Sequence, residues 1–517
     1  MKKIFTGFSV VIFITLITAL VLSSSPEVIS QTQQSKIPQK KIIIAVTTEP
    51  QSLDISNASQ PSGWPILLNI YDMLIDKARD GKLVPGLATW NVSGDGKEIA
   101  ITIKRGVKFH SGDPLTTKDI QFSFERAKVS VPYKVTLASV DRIEIVDDYN
   151  AKVVFKSPDV RVLAFQGFPI VSKTYFDRVG EEKYVKEPVG TGPYKFVGYT
   201  PGQFIEVMAN IDYWGAKPSV QAARFVFIKE DTTRVAMLKA NEADIVMEIP
   251  FTMYSNVKNT PGLKTVNFQS NHPTPSIHFH TLNPNVPWYK KQVRSAIASA
   301  IDADAIIKNL LFGLPAHNAF LAPYEVGYDP NLKPYSYDPN KSKKLLAEAG
   351  YPNGFQMPLY YSIGRMAMQK ETAEAIVLYL NKIGIRAKPE GIEFVQYQER
   401  GMQSKKSNSA EWVSLGGLPI AAQQDPTVAL AISFWSGAPL ALYSNPEVDK
   451  LIDQARATLD DTKRALLVKN AVSVIHDDVA CIPIWNNVSI YGMKSNIDFT
   501  PTNVPFSLML LKDVSLK

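Results

Sequence analysis

Arg-Phe-Val-Phe-Ile (224–228), a polar-to-amphipathic stretch from Lys229 to Asp244, and the run Ile245 to Ile249 read as strand, helix and strand. Both outer runs are short and apolar, with the β-branched and aromatic content of buried strands. Asp231 is a plausible N-cap, and Val235, Leu238 and the alanines give the helix an apolar stripe. Strands joined by a crossover helix run parallel, with the helix covering one sheet face. The fold class is therefore α/β.

Working outward, Lys-Ile-Ile-Ile-Ala-Val (41–46) is a further buried-strand candidate, followed by a loop containing Pro50, Asn57, Pro61 and Gly63. Ile99, Ile101 and Ile103 alternate as one face of a strand, and Val107 and Phe109 share another. Thr116 with Asp119 three residues on makes an approximate capping box for a helix carrying Ile120, Phe122 and Phe124. In the second half, Lys291 to Phe312 predicts a broken helical segment closed by Gly313. Asp338-Pro339 opens a helix that Gly350 ends, and Asn445-Pro446 opens another. Leu359 to Tyr361, a helix from about Glu371, and Ile385 to Lys388 make a second strand–helix–strand unit. A chain of 517 residues exceeds what one core organises. Two α/β lobes are expected, with the ligand site in the cleft between them.

Lys2 and Lys3 precede an apolar run from Ile4 to Leu22, and small polar residues follow. That order predicts a secretory signal peptide over residues 1–30, with an uncleaved anchor as the alternative. Residues 31–40 read as a disordered tether. Cys481 is the single cysteine, so no intramolecular disulfide forms, and none follows the apolar run to be lipidated. Its Ala-Cys-Ile-Pro-Ile context reads as core. The formal charge is +7, and removing Lys2, Lys3 and Glu27 with the leader lowers it by one. The basic residues are dispersed, which argues against a nucleic-acid partner.

Catalytic signatures are missing: the chain has no His-Glu-x-x-His, no Gly-x-Ser-x-Gly and no phosphate loop. Gly190-Thr-Gly-Pro-Tyr194 lacks the third glycine and the helix of a dinucleotide loop, so it reads as a turn before a strand. His278 and His280 would share one strand face, the sharpest metal hint, with His272 nearby in a proline-rich turn. Hydrogen-bonded histidines near a lobe interface are the preferred reading. No metal or cofactor is expected. Asp147-Asp148 and Asp477-Asp478 read as solvated neighbours, not a carboxylate dyad.

Several blocks in order carry a resemblance. Leu-Val-Pro-Gly-Leu-Ala-Thr-Trp-Asn-Val-Ser (83–93) is followed by Ile-Lys-Arg-Gly-Val-Lys-Phe-His-Ser-Gly-Asp-Pro-Leu-Thr (103–116) and Gly-Thr-Gly-Pro-Tyr-Lys-Phe (190–196). Then come Asn-Ile-Asp-Tyr-Trp-Gly (210–215), Val-Arg-Ser-Ala-Ile-Ala-Ser-Ala-Ile-Asp (293–302), Leu-Leu-Ala-Glu-Ala-Gly-Tyr-Pro (345–352) and Tyr-Ser-Asn-Pro-Glu-Val-Asp-Lys-Leu-Ile (443–452). Together, from about 41 to 495, they resemble the family 5 extracellular solute-binding proteins of ABC importers, whose members bind dipeptides, oligopeptides or nickel. Each block also has a plain structural reading: Asn91 to Gly96 can turn a hairpin, and Tyr213 and Trp214 can fill a core.

The resemblance implies a periplasmic-binding-protein type II-like fold, two lobes joined by a hinge, with the first lobe enlarged by an extra domain. Lobe I would comprise 41–75, 187–272 and 492–517, the extra domain 76–186, and lobe II 273–491, with hinge segments near 268–282 and 484–492. It implies a monomeric, extracytoplasmic or periplasmic receptor that closes on a small-molecule ligand and delivers it to a membrane permease. Its ligand-binding candidates are Trp64, Tyr361, Arg365, Trp412, Gly416 and Asp425. Peptide-binding relatives place an acid for the ligand's amino group after a strand ending in Gly-Trp. Here Gly417 replaces that tryptophan, and no acid lies between Gly416 and Gln424, which leaves Asp425 to supply the charge. Arg365 falls near the carboxylate-pairing arginine of those relatives. A free peptide is thus less favoured than the family suggests, with sugars and metal chelates open. A sensory or chaperone-like module without a permease, and a secreted hydrolase, are the competing functions.

Overall fold

A computed structural model describes residues 41–517 except 59, 79–82, 131–132, 134–136, 157–166, 270–273, 318, 324, 364–365, 367, 408–409, 419–424 and 500–508. The expected signal peptide and tether, His272 and Arg365 lie outside the described residues. No helix among those described is long and apolar enough to cross a membrane.

The strand Ile42–Val46 is the centre of a seven-stranded sheet. It pairs in parallel with Ala222–Phe227 on one side and with Ile245–Val246 on the other. The strand–helix–strand unit is therefore parallel, with the first strand inserted between its two members. Its helix, Asp231–Lys239, starts after Glu230, and Asp231 pairs with Arg234 instead of capping. Phe204–Ala209 and Tyr194–Thr200 extend the sheet antiparallel on one side. On the other, Val488–Lys494 pairs antiparallel with Ile245–Val246, and Leu263–Gln269 forms the edge.

A second, five-stranded sheet runs in the order Arg386–Ile392, Gln356–Ser362, Val413–Leu418, Thr274–Phe279, Cys481–Pro483. Its first two strands are parallel and joined through the helix Gln369–Asn381, the second unit read from sequence but with longer strands. The broken helix resolves into Lys291–Ala300 and Ala303–Leu310. Ile301 is extended between them, and Asp302 caps the second by accepting from Ala305 N. Asp338 likewise accepts from Lys341 N at 2.9 Å, and Asn445 from Glu447 N at 2.9 Å. Cys481 is fully buried.

The chain passes between these sheets twice. Gln269 ends a strand of the first and Thr274 begins one of the second; Pro483 ends a strand of the second and Val488 begins one of the first. The second passage thus falls at 484–487.

A four-stranded antiparallel sheet, Ala88–Val92, Glu98–Ile103, Asn150–Phe155 and Val140–Ile145, packs with the helix Thr117–Val129. Ile99, Ile101 and Ile103 are its buried face, and Thr116 N donates to Asp119 Oδ2 at 2.8 Å. The Gly-Thr-Gly turn explains itself by close approach. A Cβ at Gly190 would lie 2.2 Å from the Ile70 carbonyl oxygen, and one at Gly192 would lie 2.6 Å from it. Thr191 Oγ1, Tyr213 Oη and Trp214 Nε1 donate to the Asp72 carboxylate at 2.9, 3.0 and 2.8 Å. Two of the blocks are therefore one buried joint, and Tyr213 and Trp214 serve it through their polar tips as well as their rings. Gly192→Ala should cost about 1–3 kcal/mol by forcing two backbone segments apart, a loss readable as a lower denaturant midpoint at unchanged slope.

Candidate functional site

The second sheet and the helices against it enclose a cavity of about 310 Å³. Trp412, just ahead of the strand Val413–Leu418, forms one wall. Its ring stacks on Tyr360 with centroids 4.6 Å apart and meets the edge of Tyr397 at 5.3 Å. The helix Phe394–Lys406 presents Phe394, Tyr397, Gln398 and Gly401, spaced as one helical face, and the helix Pro426–Phe434 presents its last turn. Leu440, Leu442 and Tyr443 close another side.

The floor is polar but uncharged. Trp412 Nε1 and Tyr397 Oη donate to Ser414 Oγ at 3.1 and 2.9 Å. Indole N–H is a donor only, so the two hydroxyls have one proton to share between them and one left to offer a guest. His278 Nε2 lies 2.8 Å from Ser276 Oγ, which itself donates to the Thr274 carbonyl at 3.2 Å. With the Ser276 hydroxyl so directed, the tautomer protonated at Nε2 satisfies this contact and leaves Nδ1 as an acceptor. Burial pushes the His278 imidazole down to about 4, so it is neutral near pH 7. Gly416 keeps this floor open: a Cβ there would lie 2.7 Å from Tyr397 Oη and 3.2 Å from His278 Cδ2. Among the described lining residues there is no Asp, Glu, Lys or Arg.

Trp412 and Gly416 are thus brought together in the cavity. Tyr361 follows Tyr360 but packs in the second core over bare Gly391. Trp64 is 7% exposed within the first core, its ring 6.1 Å from Tyr133. Asp425 is 3% exposed, and its carboxylate is already engaged. Oδ1 accepts from Thr427 N at 2.8 Å as a helix cap, and Oδ2 from Arg464 Nε at 2.9 Å. The histidine pair divides: His280 Nε2 bonds the Ser404 carbonyl at 2.9 Å, away from Ser276. Among the described residues, no group of three or more His, Cys, Asp or Glu is placed to hold a metal ion. The reading from sequence missed Tyr397 and Ser414. The spacing Phe394, Tyr397, Gly401 was the available signal for the first.

The model of the bacterial extracellular solute-binding proteins, family 5 (middle region), matches residues 82–419. The chain belongs to that family. Among curated relatives, heme-binding protein A of Haemophilus influenzae is 28% identical over 463 residues, 83% of each chain. The glutathione-binding protein of Pectobacterium atrosepticum is 29% identical over 464 residues, covering 86% of this chain and 88% of its own. Among solved structures, HbpA2 of Haemophilus parasuis superposes with a TM-score of 0.80 at 25% identity, covering 92% of this chain and all of its own. DppA of Helicobacter pylori, an ABC-transporter-associated periplasmic binding protein solved with the peptide STSA, gives 0.73 at 26%, covering 92% and 98%. The two-lobed type II-like fold follows, and the protein is a solute-binding receptor of the ABC-importer kind.

Burial also sets a pH dependence. The His110 imidazole, whose Nε2 donates to the Gly192 carbonyl at 2.9 Å, is likewise lowered to about 4. In the unfolded chain both protonate near pH 6.5. The stability they contribute is complete above that pH and is lost as the pH falls toward 4, by up to about 3 kcal/mol per histidine. Thermal unfolding should fall between pH 6.5 and 5, ahead of carboxylate titration, and His110→Asn should flatten the slope.

Proposed function

We propose that this receptor captures a solute by a neutral, largely apolar or aromatic group seated in the Trp412–Tyr397–His278 cavity. The observation that carries it is the absence of charged side chains among the described lining residues. An unpaired ammonium or carboxylate buried there would cost several kcal/mol. The rim supports the same reading: Leu440 is 41% exposed, and Ile363 and Met402, each beside a lining residue, are 49% and 40% exposed. The hydroxyl proton of the Tyr397–Ser414 pair and His278 Nδ1 supply one donor and one acceptor for orientation.

In this reading a zwitterionic dipeptide is not the solute, because Asp425 is spent on Arg464. The two lobes close about the passages that connect the sheets, the second of them at 484–487, the closed monomer docks on the permease, and no bond in the solute is broken. Export by the N-terminal segment places it outside the cytoplasm.

Mass spectrometry of molecules released from gently purified, then denatured, protein identifies the solute. Added back at one hundred times its Kd, it should stabilise the native protein by about 2.7 kcal/mol. Gly416→Ala, which displaces Tyr397, should weaken binding about tenfold, roughly 1.4 kcal/mol. A released molecule whose every bulky group is ionised, bound equally by Gly416→Ala, would contradict the proposal.

A further inference from the structure

Leu459 belongs by sequence to the second half of the chain, in the connection between the helices Pro446–Arg456 and Asp461–Asp477. Yet among the described residues it is the one hydrophobic side chain between 274 and 487 that packs against the first core. Its partner is the tip of the hairpin joining Ala88–Val92 to Glu98–Ile103. Gly96 has φ +67°, and a Cβ there would lie 2.8 Å from Leu459 Cδ1, so the leucine rests on bare backbone. The tip is internally braced: Ser93 Oγ donates to Asp95 Oδ1 at 2.7 Å, Lys97 N to the same oxygen at 3.1 Å, and Glu98 N to Ser93 Oγ at 2.9 Å.

The opposite face of this contact is tied to the cavity. Arg464, 3% exposed, donates from Nη1 to the carbonyls of Thr458 and Leu459, both at 3.4 Å. The same guanidinium donates from Nε to Asp425 Oδ2 at 2.9 Å and from Nη2 to Asp461 Oδ1 at 2.6 Å. Asp425 caps the helix Pro426–Phe434, whose last turn lines the cavity. One buried ion pair therefore fixes both the backbone that presents Leu459 and the start of a cavity-wall helix.

We propose that Leu459 on Gly96 is a latch between the lobes, and that Arg464 is the positioning residue coupling the latch to the cavity wall. The latch favours the closed arrangement before any solute arrives, so its strength scales the apparent affinity without a contact to the solute. The proposal rests on the lobe-closing receptor reading for its purpose, but the contact itself is testable without a solute.

Cys481 is buried, so cysteines introduced as Lys118→Cys and Lys344→Cys, both exposed positions, accept a spin-label or dye pair. In solute-free full-length protein, Leu459→Ala should raise the ratio of long to short interlabel distances about tenfold, as loss of one half-buried leucine contact allows. Leu459→Met should keep the wild-type distribution, and Arg464→Lys should shift it toward long distances. A Leu459→Ala protein with a native unfolding midpoint and the wild-type distribution would overturn the latch. Failure of the receptor reading shows elsewhere, as no released solute, and would leave the distance shift intact.

Discussion

Two antiparallel strands, Leu263–Gln269 and Val488–Lys494, hold each other through seven residue pairs in the first sheet. Each continues across to the second sheet, where Thr274–Phe279 and Cys481–Pro483 are again paired antiparallel. The sheets are thereby joined by two adjacent passages anchored on both sides, with Ile484 N donating to the Pro275 carbonyl at 2.9 Å. Strands so anchored cannot slide past each other without breaking ladder bonds. The continuity also places His278, on the strand that has just crossed, at the cavity floor.

In the proposed site, the described lining residues carry no charged side chain. Among the described residues, Asp425 is engaged by Arg464 and Arg400 by Glu390 at 3.4 Å. What remains is aromatic surface, a shared hydroxyl proton and a neutral imidazole. Such a site rewards shape and apolar area and penalises an unmatched charge. Family membership and this local chemistry bear on different levels: the first shows a solute-binding receptor, and the second supports the proposal that it holds a neutral group.

Elements with local causes were legible in the sequence. The crossover units, the Asp338 and Asn445 caps and the Ile99–Ile101–Ile103 face depend on neighbours within a few residues. Trp412 and Gly416, two of the candidates, line the cavity. Asp425 does not, because its partner is thirty-nine positions away and no local pattern announces it. Trp64 and Tyr361 had the same difficulty in another form: a large aromatic is as useful to a core as to a site. The insertion of Ile42–Val46 between the strands of the crossover unit is a long-range pairing, invisible to periodicity.

In the proposed function, binding is driven by apolar burial in a cavity whose described lining residues carry no charge. Calorimetric titration of the released solute at several temperatures and salt concentrations tests it most directly. A clearly negative heat-capacity change, with an affinity little altered by salt, is the predicted result. A heat-capacity change near zero with affinity falling steeply as salt rises would contradict it.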